Sequence, residues 1–259
     1  MAMEFKNLVY AVDGRTAIIT MNTPENMNAL TPGMVDDLVA ALQTAAADAN
    51  VKAVILTGVG KVFCAGGDLN TFKGLDLEAG LGIMDDSGAI ARSFQDCQKP
   101  IIAAVNGYAI GAGLSLALLS DFVVAADNAV FSAAYVSMGL VPDMSALYFL
   151  PRAVGLQKAK ELALTGKNID AAEAMRIGLV SEVVPADELL ARVGKIAGKL
   201  CAQPAVAMKL IKVLLNKSFD LSFEGMAQME VLAQSICFVT DDCQEGIDAF
   251  LNKRKPVFK

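Results

Sequence analysis

Residues 99–113 read KPIIAAVNGYAIGAG. The run from Ile101 to Val105 is apolar on both faces and ends in an Asn-Gly pair, which is typical of a strand buried in a sheet. After Gly113 the chain continues as an apolar helical run to Leu119. The turn between them replaces side chains with exposed backbone, and it precedes a helix N-terminus, where the helix dipole favours negative charge. This stretch therefore predicts an α/β sheet whose turn can hold an anionic group.

Similar patterns lie on both sides of this stretch. Residues 53–57 and 122–126 are short, apolar and followed by turns, so they predict two further buried strands. Residues 8–21 predict a hairpin around an Asp-Gly turn. Thr31 and Pro32 occupy the N-cap and first position of a predicted helix, and an apolar stripe follows them.

The chain beyond Pro151 is predicted to be almost entirely helical. Residues 221–238 are rich in Met, Leu and Ile and contain few polar residues, so we expect a partner subunit to cover them. The sequence shows no internal repeat and no low-complexity linker. We therefore predict a core at residues 1–199 and a helical C-terminal region at residues 200–259.

The composition excludes several kinds of site. The chain has no histidine, so Ser-His-Asp and Cys-His nucleophiles and His-based zinc sites are excluded, and acid–base chemistry falls to other side chains. The five cysteines are scattered without metal-type spacing, which favours reduced thiols and no metal. A net charge of −6 argues against a nucleic-acid partner.

Nothing in the sequence indicates a membrane partner. The longest apolar runs are shorter than a membrane span and are interrupted by Gly, Asn or Ser. The segment from Met1 to Lys6 lacks the basic start and apolar run of a signal peptide. We therefore expect a cytoplasmic location.

A second glycine turn, FCAGGDL at residues 63–69, also follows a predicted strand. Each turn alone is explained at least as simply by tight packing of a helix against a strand. Neither turn has the spacing of a dinucleotide fingerprint or of a P-loop. Two turns that supply one N–H each are nevertheless what an oxyanion hole requires.

With these stretches the chain resembles the crotonase (enoyl-CoA hydratase/isomerase) superfamily along nearly its whole length. The motifs that carry the resemblance occur in the same order as in the family, at residues 22–30, 53–69, 99–113, 139–143, 150–155, 172–180 and 245–254. It implies a spiral of ββα units followed by a helical trimerisation region. It also implies a homotrimer or a dimer of trimers, an acyl-CoA thioester as substrate, and no cofactor other than the CoA of the substrate.

The resemblance also implies site residues. It places the oxyanion N–H groups at Gly67 and Ala112, where Ala112 replaces a more usual glycine without removing the N–H. It assigns the adenine of CoA to backbone groups of the loop formed by Ala65, Gly66, Gly67, Asp68 and Leu69. Lys253, with Arg254 and Lys255, is a candidate for the CoA phosphates, and a solvated basic tail is the alternative for these three residues.

The choice of reaction depends on carboxylates. A typical hydratase of the superfamily uses two acids, and this chain has Ser115 and Tyr135 in their places, which could line the acyl pocket or hold a water. Asp143 matches the acid of isomerase-type relatives and the nucleophile of a dehalogenase branch, although a Pro-Asp pair is also a common turn. One carboxylate suffices for an isomerase, which moves a proton between two carbons. A hydratase or lyase with another water site, and a non-catalytic acyl-CoA-binding protein, are the alternatives.

Overall fold

The structure, a computed structural model, describes residues 5–259. The first four residues belong to the segment that lacks a signal-peptide pattern, and they lie outside the described residues. The strands are β1 (Leu8–Asp13), β2 (Thr16–Met21), β3 (Ala53–Gly58), β4 (Val62–Cys64), β5 (Ile101–Val105), β6 (Tyr108–Ile110), β7 (Phe122–Ala126), β8 (Val130–Ser132), β9 (Ile169–Asp170) and β10 (Glu182–Val184).

The helices alternate with these strands and dominate the C-terminal part. They are α1 (Pro32–Ala47), α2 (Leu77–Asp96), α3 (Ala112–Leu119), α4 (Ala146–Val154), α5 (Leu156–Thr165), α6 (Ala171–Arg176), α7 (Leu189–Cys201), α8 (Ala205–Lys217), α9 (Phe223–Phe238) and α10 (Asp241–Leu251). Short 3-10 helices at Leu69–Phe72 and Ala134–Met138 bear on the site described below.

Two sheets organise the core. A 6-stranded sheet has the order β1-β2-β3-β5-β7-β10, and a 4-stranded sheet has the order β4-β6-β8-β9. Strands β3, β5 and β7 are each followed by a short strand of the second sheet, namely β4, β6 and β8. Helix α2 follows the pair β3–β4, and helix α3 follows the pair β5–β6. This repetition confirms the predicted spiral of ββα units. Because β4, β6 and β8 run parallel, the turns that follow them emerge at one edge.

The predicted hairpin and first helix are confirmed. Strands β1 and β2 pair antiparallel from Leu8 opposite Met21 to Asp13 opposite Thr16. The Thr31 hydroxyl accepts a hydrogen bond from the Met34 N–H at the start of α1, which is the usual contact of an N-cap.

The main core lies between the two sheets and the helices around them. Every residue of α3 is buried, as expected for a helix that is apolar on all sides. The opposite face of the larger sheet packs against α7, where Leu189, Val193 and Ala197 are buried.

The expectation of an almost wholly helical chain beyond Pro151 is wrong at two strands. Strand β9 pairs with β8 and strand β10 pairs with β7, so each extends a sheet begun far earlier in the chain. Segments this short acquire their strand conformation from the sheet edge that they join. Their own sequence carries too few residues to show the alternation of a strand.

The division at residue 199 stays a prediction, and that position falls near the end of α7. Helices α8 to α10 leave many apolar side chains exposed, with Phe223 at 84% and Phe250 at 83%. Among residues 5–259, no helix is both long enough and apolar enough to cross a membrane.

Candidate active site

One cavity of about 650 Å³ is lined by most of the residues that the sequence predicts for the functional site. Gly67, Ala112, Tyr135 and Asp143 all line it, as does the loop that begins at Ala65. The remaining wall comes mainly from apolar side chains of the segment before and within α2, and from the chain that precedes Asp143. These side chains are Phe72, Leu75, Leu77, Leu81, Ile83, Met84, Met138, Leu140 and Val141.

The N–H of Gly67 is directed by an isolated parallel bridge to Leu30. The Leu30 N–H donates to the Gly66 carbonyl at 2.8 Å, and the Asp68 N–H donates to the Leu30 carbonyl at 3.4 Å. In a parallel ladder a residue bonds to the two neighbours of its partner, so the partner's own polar groups point the other way. The Gly67 N–H therefore points away from Leu30.

The N–H of Ala112 is free for a different reason. Ala112 is the first residue of α3, and N–H groups in a first turn have no acceptor within the helix. The preceding Gly111 N–H donates to the Ser132 carbonyl at 2.9 Å. Within residues 5–259, no hydrogen bond occupies the N–H of either Gly67 or Ala112. The dipole of α3 adds partial positive charge at Ala112.

Close backbone packing brings the two turns together. Strands β4 and β6 are parallel neighbours, with Cys64 opposite Ala109. A methyl group on Gly66, whose φ is +102°, would lie 2.9 Å from the Ile110 carbonyl oxygen and 3.4 Å from the Ala112 nitrogen. A methyl group on Gly113 would lie 2.1 Å from the Cys64 carbonyl oxygen. Glycine is therefore required at both positions, since any side chain would separate the turns.

Asn28 supports these turns, a role that was not predicted from the sequence. Asn28 is fully buried with a φ of 53°, and its side chain accepts from the Thr23 N–H at 3.0 Å. It also donates to the carbonyls of Val59 and Val62, at 3.2 and 2.8 Å. Asn tolerates the left-handed conformation better than most residues. An Asn within the matched stretch at residues 22–30 was therefore the sequence signal that could have identified this support.

Asp143 lies in the loop between the 3-10 helix Ala134–Met138 and α4. Its Oδ1 accepts a hydrogen bond of 2.8 Å from the Tyr135 hydroxyl. Burial raises the pKa of Asp143 above its ordinary value, while the hydrogen bond from Tyr135 acts in the opposite direction. The next two residues, Met144 and Ser145, have φ values of 49° and 63°, which is costly for residues other than glycine.

Ser115 does not line the cavity, and this corrects its assignment to the acyl pocket. It is fully buried in α3, behind Tyr135. Its hydroxyl lies 2.7 Å from the Tyr135 hydroxyl and 3.2 Å from the Asp143 carbonyl oxygen. The reason is its place on α3: Ala112 lies at the cavity, whereas Ser115, one turn further on, is within the core. Tyr135 remains a lining residue, with 7% of its surface exposed.

The loop predicted to hold adenine lies at the cavity, with one exception. Ala65, Gly66, Gly67 and Leu69 line the cavity, but Asp68 does not. The Asp68 side chain instead accepts hydrogen bonds from the N–H and the side-chain amide of Asn70, both at 3.0 Å. Its carboxylate is thus used to fix the loop.

Cys64 and Lys253 stand apart from the cavity. Cys64 is fully buried, and burial raises the pKa of its thiol to about 12, which agrees with a packing role and not with a nucleophile. Lys253 follows α10 and lies outside the cavity lining. Its neighbour Arg254 forms salt bridges with Glu245 and Asp248.

These features define a class of protein. A site with two open backbone donors can stabilise an oxygen that gains negative charge, and a half-buried carboxylate in the same cavity can move a proton. Within residues 5–259, no group of three or more His, Cys, Asp or Glu side chains could hold a metal ion. The cavity thus brings together the two kinds of group that acid–base chemistry with an oxyanion hole requires.

Comparison with known proteins identifies the family. The family described as enoyl-CoA hydratase/isomerase matches residues 13–259. The chain is 38% identical over 253 residues to the 2,3-dehydroadipyl-CoA hydratase of Escherichia coli (strain K12), covering 97% of this chain and 98% of that protein. It is 36% identical over 256 residues to the short-chain-enoyl-CoA hydratase of Clostridium acetobutylicum, covering 98% and 97%.

Solved structures agree with this identification. The crystal structure of an enoyl-CoA hydratase from Bacillus anthracis is 32% identical, covers 98% of this chain and 99% of that chain, and superposes with a TM-score of 0.94. The chain belongs to the enoyl-CoA hydratase/isomerase family of the crotonase superfamily, and it is an enzyme of that family.

Proposed function

We propose that this enzyme is an enoyl-CoA isomerase that shifts a double bond along the acyl chain, or rearranges a ring acyl-CoA, with Asp143 as its base. One observation carries the proposal: Asp143 is a half-buried carboxylate in the cavity. The resemblance to the family supports it, because it assigns the two acids of a typical hydratase to the positions of Ser115 and Tyr135. The other acid of the lining, Asp76, is exposed and accepts the Ala79 N–H as the N-cap of α2.

The reaction can be written with these groups alone. In a 3-enoyl thioester, Asp143 takes a proton from C2, and the C–H electron pair delocalises over the double bond and the carbonyl as a dienolate. The N–H groups of Gly67 and Ala112 stabilise the charge on the thioester oxygen. The protonated Asp143 then returns the proton to C4, which leaves a 2-enoyl thioester. No water is consumed, so no second acid is needed to hold one.

The lining of the cavity favours an uncharged acyl group. Apolar side chains form most of the wall, and no Lys or Arg of the described residues belongs to it. Its two charged members, Asp76 and Asp143, would repel a carboxylate at the far end of an acyl chain. The substrates that fit are aliphatic or aromatic acyl thioesters.

Replacement of Asp143 by Asn tests the proposal. The change keeps the shape of the side chain and removes its basicity, so we expect kcat on a 3-enoyl-CoA to fall by about 10²- to 10⁴-fold. The measurement is the absorbance of the conjugated 2-enoyl thioester, with a ring-epoxide acyl-CoA as a second substrate.

Asp76→Asn is the matched control, because it removes the other carboxylate of the cavity and Asn is also a good N-cap. We expect its kcat to stay within about threefold of wild type, since this carboxylate is assigned no proton transfer. Wild-type turnover by Asp143→Asn would remove Asp143 from the mechanism. An equal loss in both variants would show a general effect of charge in the cavity.

Hydration is the second candidate, favoured by the hydratase names of the relatives. Tyr135 and Asp143 would then hold the water in place of two acids. Incubation of the enzyme with a 2-enoyl-CoA, followed by analysis for the 3-hydroxyacyl-CoA, separates the two reactions. Formation of that product faster than the double-bond shift would favour the hydratase.

The remaining assignments complete the proposal. The backbone of Ala65–Leu69 binds the adenine of CoA, and Lys253 of a neighbouring subunit reaches its phosphates. A homotrimer or a dimer of trimers would cover the apolar side chains that α8 to α10 expose, which supports this assembly. The cytoplasmic location and the lack of a cofactor beyond the CoA of the substrate stay predictions.

A further inference from the structure

A buried chain of hydroxyl groups stands behind the carboxylate of Asp143. The Ser115 and Tyr135 hydroxyls lie 2.7 Å apart, and the Tyr135 hydroxyl donates to Asp143 Oδ1 at 2.8 Å. The three residues come from α3, from the 3-10 helix Ala134–Met138 and from the loop before α4. Three separate segments therefore contribute to one hydrogen-bonded chain that ends at Oδ1 of Asp143.

The hydrogens of this chain can be assigned by counting. Each hydroxyl has one hydrogen to donate. Tyr135 gives its hydrogen to the ionised Asp143, so Ser115 donates to the Tyr135 oxygen. The Asp143 carbonyl keeps the Ala146 N–H, at 2.9 Å, as a donor. Every hydroxyl hydrogen of the chain is thus used while Asp143 is a carboxylate.

The two oxygens of Asp143 consequently differ. Oδ1 accepts the hydrogen bond from Tyr135, whereas no other residue among residues 5–259 donates a hydrogen bond to Oδ2. The other charged residues that share a cavity with Asp143 are Arg92 and Asp96 of α2, which line a smaller adjoining cavity, and Asp76, the N-cap of α2, which lines the main cavity. The Arg92 guanidinium donates to the Asp85 carbonyl and makes no salt bridge with Asp143. Tyr135 is therefore the direct hydrogen-bond partner of the carboxylate.

We propose that Tyr135, supported by Ser115, is a positioning residue that holds Oδ1 of Asp143, so that Oδ2 is the atom that exchanges the proton with the acyl chain. The proposal rests on the proposed function, because it concerns the base of that reaction. A donor that binds the ionised form stabilises the carboxylate against the cost of its burial. The raised pKa of the Tyr135 hydroxyl, due first to burial, keeps that hydroxyl a neutral donor at working pH.

Tyr135→Phe tests the inference, because it keeps the ring in the cavity wall and removes only the hydroxyl. Loss of the donor makes ionisation of Asp143 harder, so the rise of kcat with pH should move to higher pH by about one to two units. At the wild-type optimum we expect kcat to fall by about 10- to 100-fold, with KM changed by less than about threefold.

Ser115→Ala leaves the Tyr135 hydroxyl without its donor, so it should shift the profile in the same direction by a smaller amount. Ser115→Thr keeps a hydroxyl and should restore most of the wild-type profile. In an Asp143→Asn background, Tyr135→Phe should cause almost no further loss, because Tyr135 acts through Asp143. A full further loss in that background would overturn the inference.

The titration of the Asp143 carboxyl by NMR in the substrate-free enzyme separates the two proposals. The inference expects the midpoint to rise in Tyr135→Phe and, less, in Ser115→Ala, whichever reaction the enzyme catalyses. An unchanged midpoint in a folded Tyr135→Phe variant overturns the inference, even if Asp143 is the base. Wild-type turnover by Asp143→Asn overturns the proposed function, and with it the proton exchange at Oδ2, whereas the hold of Tyr135 on Oδ1 is decided by the titration. Should Tyr135→Phe not fold, the Ser115→Ala titration decides the inference by the same criterion.

Discussion

The donor side of the cavity consists of the turns at Gly66–Gly67 and Gly111–Ala112, and the acid side consists of Asp143 with Tyr135 and Ser115. The donor side is fixed by backbone packing: a Cβ at Gly113 would come within 2.1 Å of a carbonyl oxygen. The acid side is fixed by side chains, through hydrogen bonds of 2.7 and 2.8 Å. The fold alone therefore determines where the backbone donors lie, whereas the position of the Asp143 carboxylate depends on a few exchangeable side chains.

This difference separates two parts of the chemistry. Stabilisation of an oxyanion requires only backbone N–H groups, so it can persist while side chains around it change. The reaction itself depends on which acids the cavity holds and on how their pKa values are set. The resemblance places Ser115 and Tyr135 at the positions of two acids, and in the structure their hydroxyls form a hydrogen-bonded chain that ends at the Asp143 carboxylate. One set of backbone donors can thus serve isomerisation or hydration.

The largest effect is expected from a substitution that disrupts the donor side. Gly66→Ala introduces a methyl group 2.9 Å from the Ile110 carbonyl and 3.4 Å from the Ala112 nitrogen, so it should separate the two donors. Loss of one well-placed oxyanion donor costs about 10²- to 10³-fold in kcat, and we expect a fall of that size. Steady-state kinetics on the enoyl-CoA substrate, with thermal unfolding of the same sample, measure it.

Gly155→Ala is the control for backbone strain. Gly155 also has a positive φ, +78°, but a methyl group there would meet no atom within 4 Å. It should lower stability without lowering kcat by more than about threefold. If Gly66→Ala and Gly155→Ala gave the same kcat, contact between the turns would not be what positions the donors.

The sequence predicted the donor side better than the acid side. Apolar runs that end in glycine turns indicate buried strands and open backbone, whereas the spiral and the assignment of donors to Gly67 and Ala112 came from the resemblance to the family. The burial of Ser115 behind Tyr135 could not be predicted, because it depends on how α3 meets a loop that begins about twenty residues later. The left-handed pair at Met144 and Ser145 has no sequence signal either, since neither residue is glycine.

A smaller effect is expected at α2, which belongs to neither side. Gly80 lines the cavity, and a Cβ there would meet no atom within 4 Å. Gly80→Leu should therefore fill space that a long acyl chain uses, and each displaced methylene is worth about 0.8 kcal/mol. We expect kcat/KM to fall about tenfold for a long acyl chain and little for a short one, in a comparison across chain lengths.

Gly82→Leu is the matched control on the same helix. Gly82 also has open space around it but does not line the cavity, so its replacement should leave the chain-length profile unchanged. A uniform loss for all chain lengths in Gly80→Leu would indicate that α2 supports the catalytic groups. In that event α2 would have to be counted with the acid side or the donor side.

The smallest effect concerns the backbone of the acid side. Ser145 has a φ of 63° and its side chain makes no cap hydrogen bond, so Ser145→Gly relieves a left-handed residue without removing a contact at the helix start. Glycine also costs more entropy on folding, and the two effects nearly cancel, so the free energy of unfolding should change by less than about 1 kcal/mol. Chemical denaturation measures it, with Ser145→Ala as the variant that keeps the strain.

The kinetic result of Ser145→Gly tests the contrast between the two sides most finely. If the hydrogen bond from Tyr135, itself supported by Ser115, holds Asp143, then greater freedom at Ser145 should lower kcat by no more than about threefold, because these hydrogen bonds persist. A fall as large as that of Tyr135→Phe would mean that the strained backbone also positions the carboxylate. The acid side would then depend on its main chain as the donor side does, and side chains alone would not determine the base.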